Sequence, residues 1–271
     1  MPLQRRGEQL QWRRRTTARD LMAWAGWLCG VALFVVSWRV ISDATIWFFV
    51  TDSPRVAADI ASRMVPPAWD YVPSLLKPLW DTINIATLGT LLAILLAVPV
   101  AFLAARNTTP SALLLRPLAL LVIVSSRSIN SLIWALLLVA IAGPGVFAGI
   151  IAIALRSIGF IAKLLYEAIE EIEPLQVEAV RATGASEAQV VSYAILPQIM
   201  PAFAGISVFR WDINIRESTV LGLVGAGGIG LELQAALNVL AWPRVTVILL
   251  LILATVLVSE WVSARIRHAI I

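Results

Sequence analysis

The chain has 271 residues, of which 59% are hydrophobic and 14% charged, with a formal net charge of +4. A soluble domain of this length cannot bury so much apolar surface, so the composition excludes a soluble globular protein and indicates that the bilayer is the solvent. Arginines gather before the first apolar run and after the last, which is typical of cytoplasmic ends of membrane proteins and disfavours the alternative of a nucleic-acid-binding arm. They are Arg5, Arg6, Arg13, Arg14, Arg15, Arg19, Arg265 and Arg267.

We predict an all-α integral membrane protein with six transmembrane helices. Residues 1–20 form a basic cytoplasmic tail, and residues 21–271 form a single transmembrane domain. Helix one, over 21–40, is too long for the apolar core of a signal peptide and has no small-residue cleavage site after it. We therefore expect that it is not cleaved off and that it forms a transmembrane helix. Residues 42–81 are polar and rich in proline, which predicts an external loop.

Within that loop, Ser53 and Pro54 form a helix-start pattern and predict a short amphipathic helix. Helix two follows over 82–105. Residues 111–141 are apolar but interrupted by serines and an arginine over 125–128, and we interpret them as helix three, with an interfacial piece before it as an alternative. Helix four returns over 146–165.

A polar segment over 166–198 separates the next apolar runs. Pro174 suits the first turn of a helix, and Gly184 marks a helix C-terminus, because helices commonly end at a glycine. Ser186 and Gln189 have the spacing of a capping box at a second helix start. The pattern predicts two short helices hinged at Gly184, closed by prolines at 197 and 201, which present a docking surface. Glu167, Glu170 and Glu171 are interpreted as a solvated helix end rather than a metal cluster.

Helix five, over 199–223, carries charged and polar residues in an apolar context, where they must face protein or water. At about 100° per residue they divide into two stripes. One contains Arg210, Asn214 and Glu217; the other contains Asp212 and Arg216. Both a translocation pathway and structural ion pairing fit this pattern. Arg127, in the interrupted part of helix three, is a further candidate for a buried cation.

A glycine-rich segment follows helix five and contains Gly225, Gly227, Gly228 and Gly230. Its spacing matches a dinucleotide-binding fingerprint, but no strand precedes it, so we expect a gate or a site of close helix packing instead. Helix six, over 245–262, leads to the C-terminus. With one histidine (His268) and one cysteine (Cys29), the sequence predicts no metal centre and no disulfide.

The polar segment resembles the EAA loop of ABC importer permeases through Glu178, Ala179, Gly184, Leu196 and Pro197. Val180 and Ala194 depart from that pattern. The resemblance implies a type I, MetI-like permease fold. It also implies that the loop over 166–198 is cytoplasmic and docks into a groove of an ATP-hydrolysing partner. Arg181 and Ala185 belong to the same implied surface.

Several segments further resemble the phosphonate importer permease. They are RSIN from Arg127, YEAIEEI from Tyr166, RATGA from Arg181, RWDINIR from Arg210 and VLGLVGAGGIG from Val220. Asn130 stands where a proline is expected. The resemblance implies a bacterial inner-membrane subunit with both termini cytoplasmic. The implied partners are a second copy, two ABC ATPases that bind ATP and Mg, and an external phosphonate-binding protein.

The resemblance implies no cofactor on this chain and no enzymatic activity of its own. It leaves open whether phosphonate, phosphite or phosphate is the cargo. A permease for methionine or another small solute is an alternative. An ion-coupled secondary transporter that uses Asp212 or Glu217 is another, and an intramembrane enzyme would lack a histidine for catalysis.

Overall fold

A computed structural model describes residues 3–6, 9–12 and 17–270. The chain divides into two compact units, residues 1–60 and 61–271. Arg13, Arg14 and Arg15 of the predicted basic tail lie outside the described residues.

The first unit contains an antiparallel hairpin of β1 (Leu3–Arg6) and β2 (Gln9–Trp12), which no sequence pattern predicted. Helix α1 spans Thr17–Ala44, and α2 (Trp47–Arg63) begins in this unit. The predicted helix start at Ser53 and Pro54 is wrong, since Pro54 lies inside α2. A proline there deprives the Val50 carbonyl of its usual donor, and the Ser53 hydroxyl donates to that carbonyl instead, at 2.7 Å.

The second unit is a helical bundle built around one central helix, α6, which contacts α3, α4, α5 and α9. Alanines of α3, including Ala97 and Ala101, are fully buried beside Ile161 and Leu165 of α6. Small side chains on α3 therefore allow the two helices to approach closely. The helices are α3 (Val72–Ala104), α4 (Leu115–Ser128), α5 (Ser131–Ala142), α6 (Val146–Glu170), α7 (Pro174–Ala182), α8 (Glu187–Val190), α9 (Leu196–Leu221), α10 (Ile229–Asn238) and α11 (Trp242–Ile270).

Five helical segments in the described part of the chain are long and apolar enough to cross a membrane. The predicted helix three is instead two helices, α4 and α5, bent by 89°. Arg116 at the start of α4 lies 3.5 Å from Glu170, the last residue of α6, and α5 ends shortly before α6 begins. The pair therefore reaches from one end of α6 to the other, as one broken span does, and counting it as one span gives six candidate crossings among the described residues.

The bend occurs at Ile129 and Asn130. The Asn130 side chain accepts a hydrogen bond from the Leu132 amide at 3.1 Å and so caps α5. Asparagine thus starts a new helix at the position where the resemblance implied a proline.

Two predicted helix boundaries are wrong because prolines lie inside helices. Helix α3 begins at Val72 rather than 82, with Pro73 in its first turn and Leu75 fully buried, so the last part of the predicted 42–81 loop is helical. Pro197 and Pro201 do not close the polar segment either. A π-helical stretch, Val191–Ile195, joins α8 to α9. The widened π turn accommodates Pro197, which has no amide hydrogen to donate.

Candidate functional site

One stripe of α9 forms a chain of buried hydrogen bonds with α6 and α3. Arg210 is 2% exposed, and its Nε donates to the Ser157 hydroxyl at 3.0 Å. Ser157 donates to the Asn214 side-chain oxygen at 3.1 Å, and the Asn214 amide donates to Thr90 at 2.7 Å. Buried polar groups are stabilised when each finds a partner, and these three α9 contacts fix the orientation of that face.

The same face carries a charge imbalance. Glu217 forms an ion pair with Arg156 of α6, and Arg210 Nη2 lies 3.4 Å from the same Glu217 oxygen. Two arginines therefore share one carboxylate. The other Glu217 oxygen is buried and has no hydrogen-bond partner among the described residues. We call Arg156, Arg210, Asn214, Glu217 and Ser157 the buried polar cluster; its formal charge is positive.

Arg127 lies next to this cluster, but it is exposed, so its prediction as a buried cation is wrong. It occupies the last turn of α4, where the bend leaves its side chain uncovered. The Arg127 and Arg210 guanidinium carbons each lie 4.9 Å from the centre of the Phe160 ring. A cavity of about 300 Å³ opens here, lined by Val124, Arg127, Ser128 and Phe160. Within the described residues Arg127 has no ion-pair partner.

The opposite stripe of α9 binds α11 instead. Asp212 and Arg216 form an ion pair one helical turn apart, and the Ser259 hydroxyl of α11 donates to Asp212 at 2.8 Å. The Arg216 side chain is 49% exposed and that of Asp212 is 7% exposed. The division of the α9 charges into two stripes is therefore as predicted.

Helices α7 and α8 form a hairpin, which we call the Gly184 hairpin (residues 174–190). Gly184 adopts a left-handed φ of +80°, which favours glycine, and Ser186 and Gln189 form the predicted capping box. Arg181 and Glu187 form an ion pair across the turn at 2.9 Å. Glu178, Ala179 and Arg181 are exposed, whereas Ala185 is half-buried. Leu196 and Pro197 lie apart from these, in the first turn of α9.

A second cavity, of about 290 Å³, lies at the base of the Gly184 hairpin. It is bounded by the end of α6, by α7 and by the loop between α3 and α4. Glu170, Glu178 and Arg181 line it together with Asn107, Ile172, Pro174, Val177 and Ile195. The interpretation of Glu170 as a solvated helix end is wrong, because its carboxylate accepts a hydrogen bond from the Arg106 amide at 2.9 Å.

The glycine-rich segment packs against α3, α6 and α9. A Cβ atom on Gly228 would lie 2.5 Å from the Thr82 hydroxyl, which accepts a hydrogen bond from the Ile229 amide at 2.8 Å. A Cβ atom on Gly230 would overlap the Thr219 carbonyl oxygen. Larger residues do not fit at these two positions. Gly225 and Gly227, both with positive φ, complete the turn.

Comparison with known proteins decides the family. The family described as "binding-protein-dependent transport system inner membrane component" matches residues 97–270, which include the cluster, the hairpin and the glycine-rich segment. The chain belongs to this family. It is therefore a membrane-embedded permease subunit of a transport system, not an enzyme.

Two curated relatives are similar to this permease over most of its length. The phosphite transport system permease protein PtxC of Stutzerimonas stutzeri is 39% identical over 238 residues, 88% of this chain and 85% of that protein. The phosphate-import permease protein PhnE of Mycolicibacterium smegmatis is 38% identical over 240 residues, 89% of this chain but 44% of that protein.

The fold is also known from solved structures. The MetNI methionine ABC transporter, in an inward-facing conformation, contains a chain that matches 75% of this permease at a TM-score of 0.65 and 22% identity, with 99% of that chain covered. The likeness shows the predicted type I, MetI-like permease fold.

Sequence reasoning missed Arg156 and Ser157 of the buried polar cluster, Thr90, which accepts a hydrogen bond from Asn214, and also Glu170. Arg156 is a charged residue within an apolar helix, and that signal alone marks it as a candidate. Among the described residues no group of three or more histidine, cysteine, aspartate or glutamate side chains could hold a metal ion.

Proposed function

We propose that this permease imports a small phosphorus oxyanion, such as phosphonate, phosphite or phosphate. The observation that carries this proposal is the positive charge around Phe160. Arg156 and Arg210 share one carboxylate, and Arg127 faces a cavity beside them. Charged side chains are costly within a membrane, and those that occur there commonly line a path for a charged solute. The names of the phosphite and phosphate relatives support this class of cargo.

Arginine suits such a cargo because its planar guanidinium donates two parallel hydrogen bonds to phosphate-like oxygens. In the proposed path the oxyanion meets Arg127 first, since its guanidinium is exposed, and then the buried polar cluster. Arg210, Asn214 and Glu217 line this path. Asp212 and Arg216 hold α9 against α11. Gly225, Gly227, Gly228 and Gly230 act as a tightly packed gate at the end of α9.

We further propose that the Gly184 hairpin is the coupling site for an ABC ATPase. Its exposed face offers Glu178, Ala179 and Arg181, the hinge supplies Gly184 and Ala185, and Leu196 and Pro197 connect it to α9. The partner ATPase binds ATP and Mg and delivers its motion here. Two such ATPases serve two permease subunits.

The second permease subunit is another copy of this chain. Arg216 is half exposed on a membrane-spanning helix, where contact with lipid would be costly, so a neighbouring subunit or water must cover it. The mycobacterial relative is about twice as long as this chain, which is compatible with two permease halves in one polypeptide.

The proposed location is the bacterial inner membrane, within the lipid bilayer. With six crossings both termini and the Gly184 hairpin would share one side of the membrane, and the arginines at both ends of the sequence favour the cytoplasmic side. The loop that precedes α3 then faces outward, where a phosphonate-type binding protein docks.

Reconstitution tests the proposal. The permease is placed in lipid vesicles with its ATPase and binding protein, and uptake of radiolabelled phosphite, phosphate and methylphosphonate is measured with methionine as a competitor. We expect uptake that requires ATP and resists methionine. Uptake driven by an ion gradient without ATP would instead favour a secondary transporter that uses the unpartnered Glu217 oxygen. Uptake inhibited by methionine would overturn the choice of cargo.

A further inference from the structure

Glu170 connects the end of α6 to two other parts of the bundle. Its Oε1 accepts a hydrogen bond from the Arg106 amide at 2.9 Å and lies 3.5 Å from Arg116 Nη2. Arg106 belongs to the loop between α3 and α4, and Arg116 lies in the first turn of α4. One carboxylate therefore holds α6, this loop and α4 together.

Neighbouring contacts reinforce this junction. The Asn107 side chain donates to the Ile169 carbonyl at 2.5 Å, and Arg116 Nε donates to the Ala104 carbonyl at 3.0 Å. Ile169 and Ala104 are both fully buried. The end of α3, the start of α4 and the end of α6 thus form one hydrogen-bonded unit, which we call the Glu170 clamp (Ala104, Arg106, Asn107, Arg116, Ile169 and Glu170).

The Glu170 clamp lies directly beside the Gly184 hairpin. Glu170 is the last residue of α6, and α7 begins at Pro174, so residues 171–173 alone separate them. The Glu173 amide also donates to the Gln198 side chain at 2.9 Å, which fixes this short connection to α9. Because this connection is short and held by a hydrogen bond, a displacement of α7 will also displace Glu170.

At its other end α4 carries Arg127. The two ends of α4 are about 16 Å apart from Arg116 to Arg127, at 1.5 Å per residue. Near Arg127, Ser126 accepts a hydrogen bond from the Gly159 amide at 2.9 Å and donates to the Leu155 carbonyl, both on α6. Helix α4 is thus attached to α6 at both ends, once at the Glu170 clamp and once beside the cavity.

We propose that Glu170 is a positioning residue that transmits motion of the Gly184 hairpin to α4 and hence to Arg127. This inference rests on the proposed function, since it requires an ATPase that moves the hairpin. Glu170 itself contacts neither cargo nor nucleotide. Its contacts connect the start of α4 to the end of α6, so that the two helix ends move together.

The experiment compares Glu170→Ala and Glu170→Gln with Glu171→Ala. Glu171 is the adjacent carboxylate, it is exposed, and its side chain makes no hydrogen bond or ion pair within the described chain. Each variant is reconstituted with the ATPase and binding protein, and uptake of radiolabelled phosphite and phosphate is measured together with ATP hydrolysis. The informative quantity is the amount of solute imported per ATP hydrolysed.

We expect Glu170→Ala to lower this ratio roughly fivefold or more, the size of an ordinary coupling between two sites, while ATP hydrolysis continues. Glu170→Gln keeps an acceptor for the Arg106 amide but loses the charge, so its effect should be smaller. Arg116→Gln should resemble Glu170→Gln, and the double variant should be no worse than either one. An unchanged ratio in Glu170→Ala, or a parallel fall of uptake and hydrolysis, would overturn the inference.

A distance measurement separates this inference from the proposed function. Spin labels are attached to Ala112→Cys and Gln176→Cys in a Cys29→Ala background, in the complex with the ATPase. We expect one narrow distance between loop and hairpin, with and without ATP, that broadens in Glu170→Ala but not in Glu171→Ala. A distance that Glu170→Ala leaves unchanged would overturn the clamp. A wild-type complex without ATP-driven uptake would reject the proposed function instead.

Discussion

Arginine and glutamate side chains form ion pairs both in the Gly184 hairpin and in the buried polar cluster, but their surroundings differ. Arg181 and Glu187 of the hairpin are 49% and 78% exposed, whereas Arg210 and Glu217 of the cluster are 3% and 16% exposed. Exposed pairs contribute about 0–1 kcal/mol, since water screens both charges. In a buried pair, removal of one partner leaves the other charge unsolvated, which costs about 3–5 kcal/mol.

The comparison separates two roles for the same residue types. The hairpin keeps its charges accessible, so a partner protein can contact them at little cost to the fold. The cluster holds its charges in fixed positions, so a small anion can meet donors that need no rearrangement. Exposed charges are therefore what the proposed docking surface requires, and buried charges are what the proposed path requires.

The largest expected effect comes from the buried side of this comparison. Glu217→Gln leaves Arg156 and Arg210 without a counter-charge, and we expect a loss of about 3–5 kcal/mol in the free energy of unfolding. Thermal unfolding of the detergent-purified permease measures it. The matched control is Glu187→Gln in the hairpin, for which we expect a change below about 1 kcal/mol. Equal effects of the two substitutions would contradict the contrast between the regions.

The second prediction is a substitution that lowers uptake but leaves the stability of the fold unchanged. Arg127→Gln should lower uptake of the oxyanion by about tenfold or more, because a hydrogen bond to a charged group contributes ~1.5–3 kcal/mol. The unfolding temperature should not change, since Arg127 is exposed and has no ion-pair partner in the described part of the chain. Uptake assays and thermal unfolding of the same preparation test both points. Lys163→Gln serves as the control and should keep full uptake, because Lys163 forms an ion pair with Glu167 and does not line the cavity.

The third prediction tests the left-handed backbone conformation of Gly184 in the hairpin. Gly184→Ala should weaken ATPase binding by about fivefold or more, since a left-handed backbone costs a residue with a Cβ atom roughly 1–2 kcal/mol. Apart from the residues next to it in the chain, none of the described residues comes within 4 Å of a Cβ added at Gly184, so the effect arises from the backbone alone. Asparagine tolerates this conformation better, and Gly184→Asn should therefore bind the ATPase more tightly than Gly184→Ala. Titration of purified ATPase measures both; equal affinities for the two variants would reject the explanation.

The smallest effect is expected between the two regions, at the bend of the broken span. Asn130 has φ −69° and the residue before it is extended, and both conformations suit a proline at position 130. Asn130→Pro removes the helix cap but makes the unfolded chain less flexible. We therefore expect the free energy of unfolding to change by no more than about 0.5 kcal/mol. Asn130→Ala loses the cap without that gain and should cost ~1 kcal/mol. If thermal unfolding showed Asn130→Ala to be more stable than Asn130→Pro, this account would be contradicted.

The two regions also differ in how far the sequence predicts them. The hairpin depends on local signals, since Pro174, Gly184, Ser186 and Gln189 act on their own neighbours, and its helices agree with the prediction. The two stripes of α9 were likewise predicted from helical geometry. The partners of those stripes were not, because Arg156 and Thr90 are far away in the sequence and no local pattern pairs them with α9.

Prolines account for the main errors in the helix boundaries. Pro54 lies inside α2 because a serine hydroxyl replaces the lost donor, and Pro197 follows a π turn that accommodates it. Neither compensation has a simple sequence signature. Glu170 was misinterpreted for a similar reason, since its partners come from another loop and another helix.

The π-helical stretch Val191–Ile195 has a consequence for the relative rotation of the two regions. Since it joins α8 to α9 without interruption, α8 of the Gly184 hairpin and both charged stripes belong to one continuous helical rod. A π turn holds about one residue more than an α-helical turn, so this stretch sets the rotation of the stripes relative to α8, and deletion of a residue there would change that rotation. Arg210 would then point away from Ser157, even though every side chain of both regions was still present.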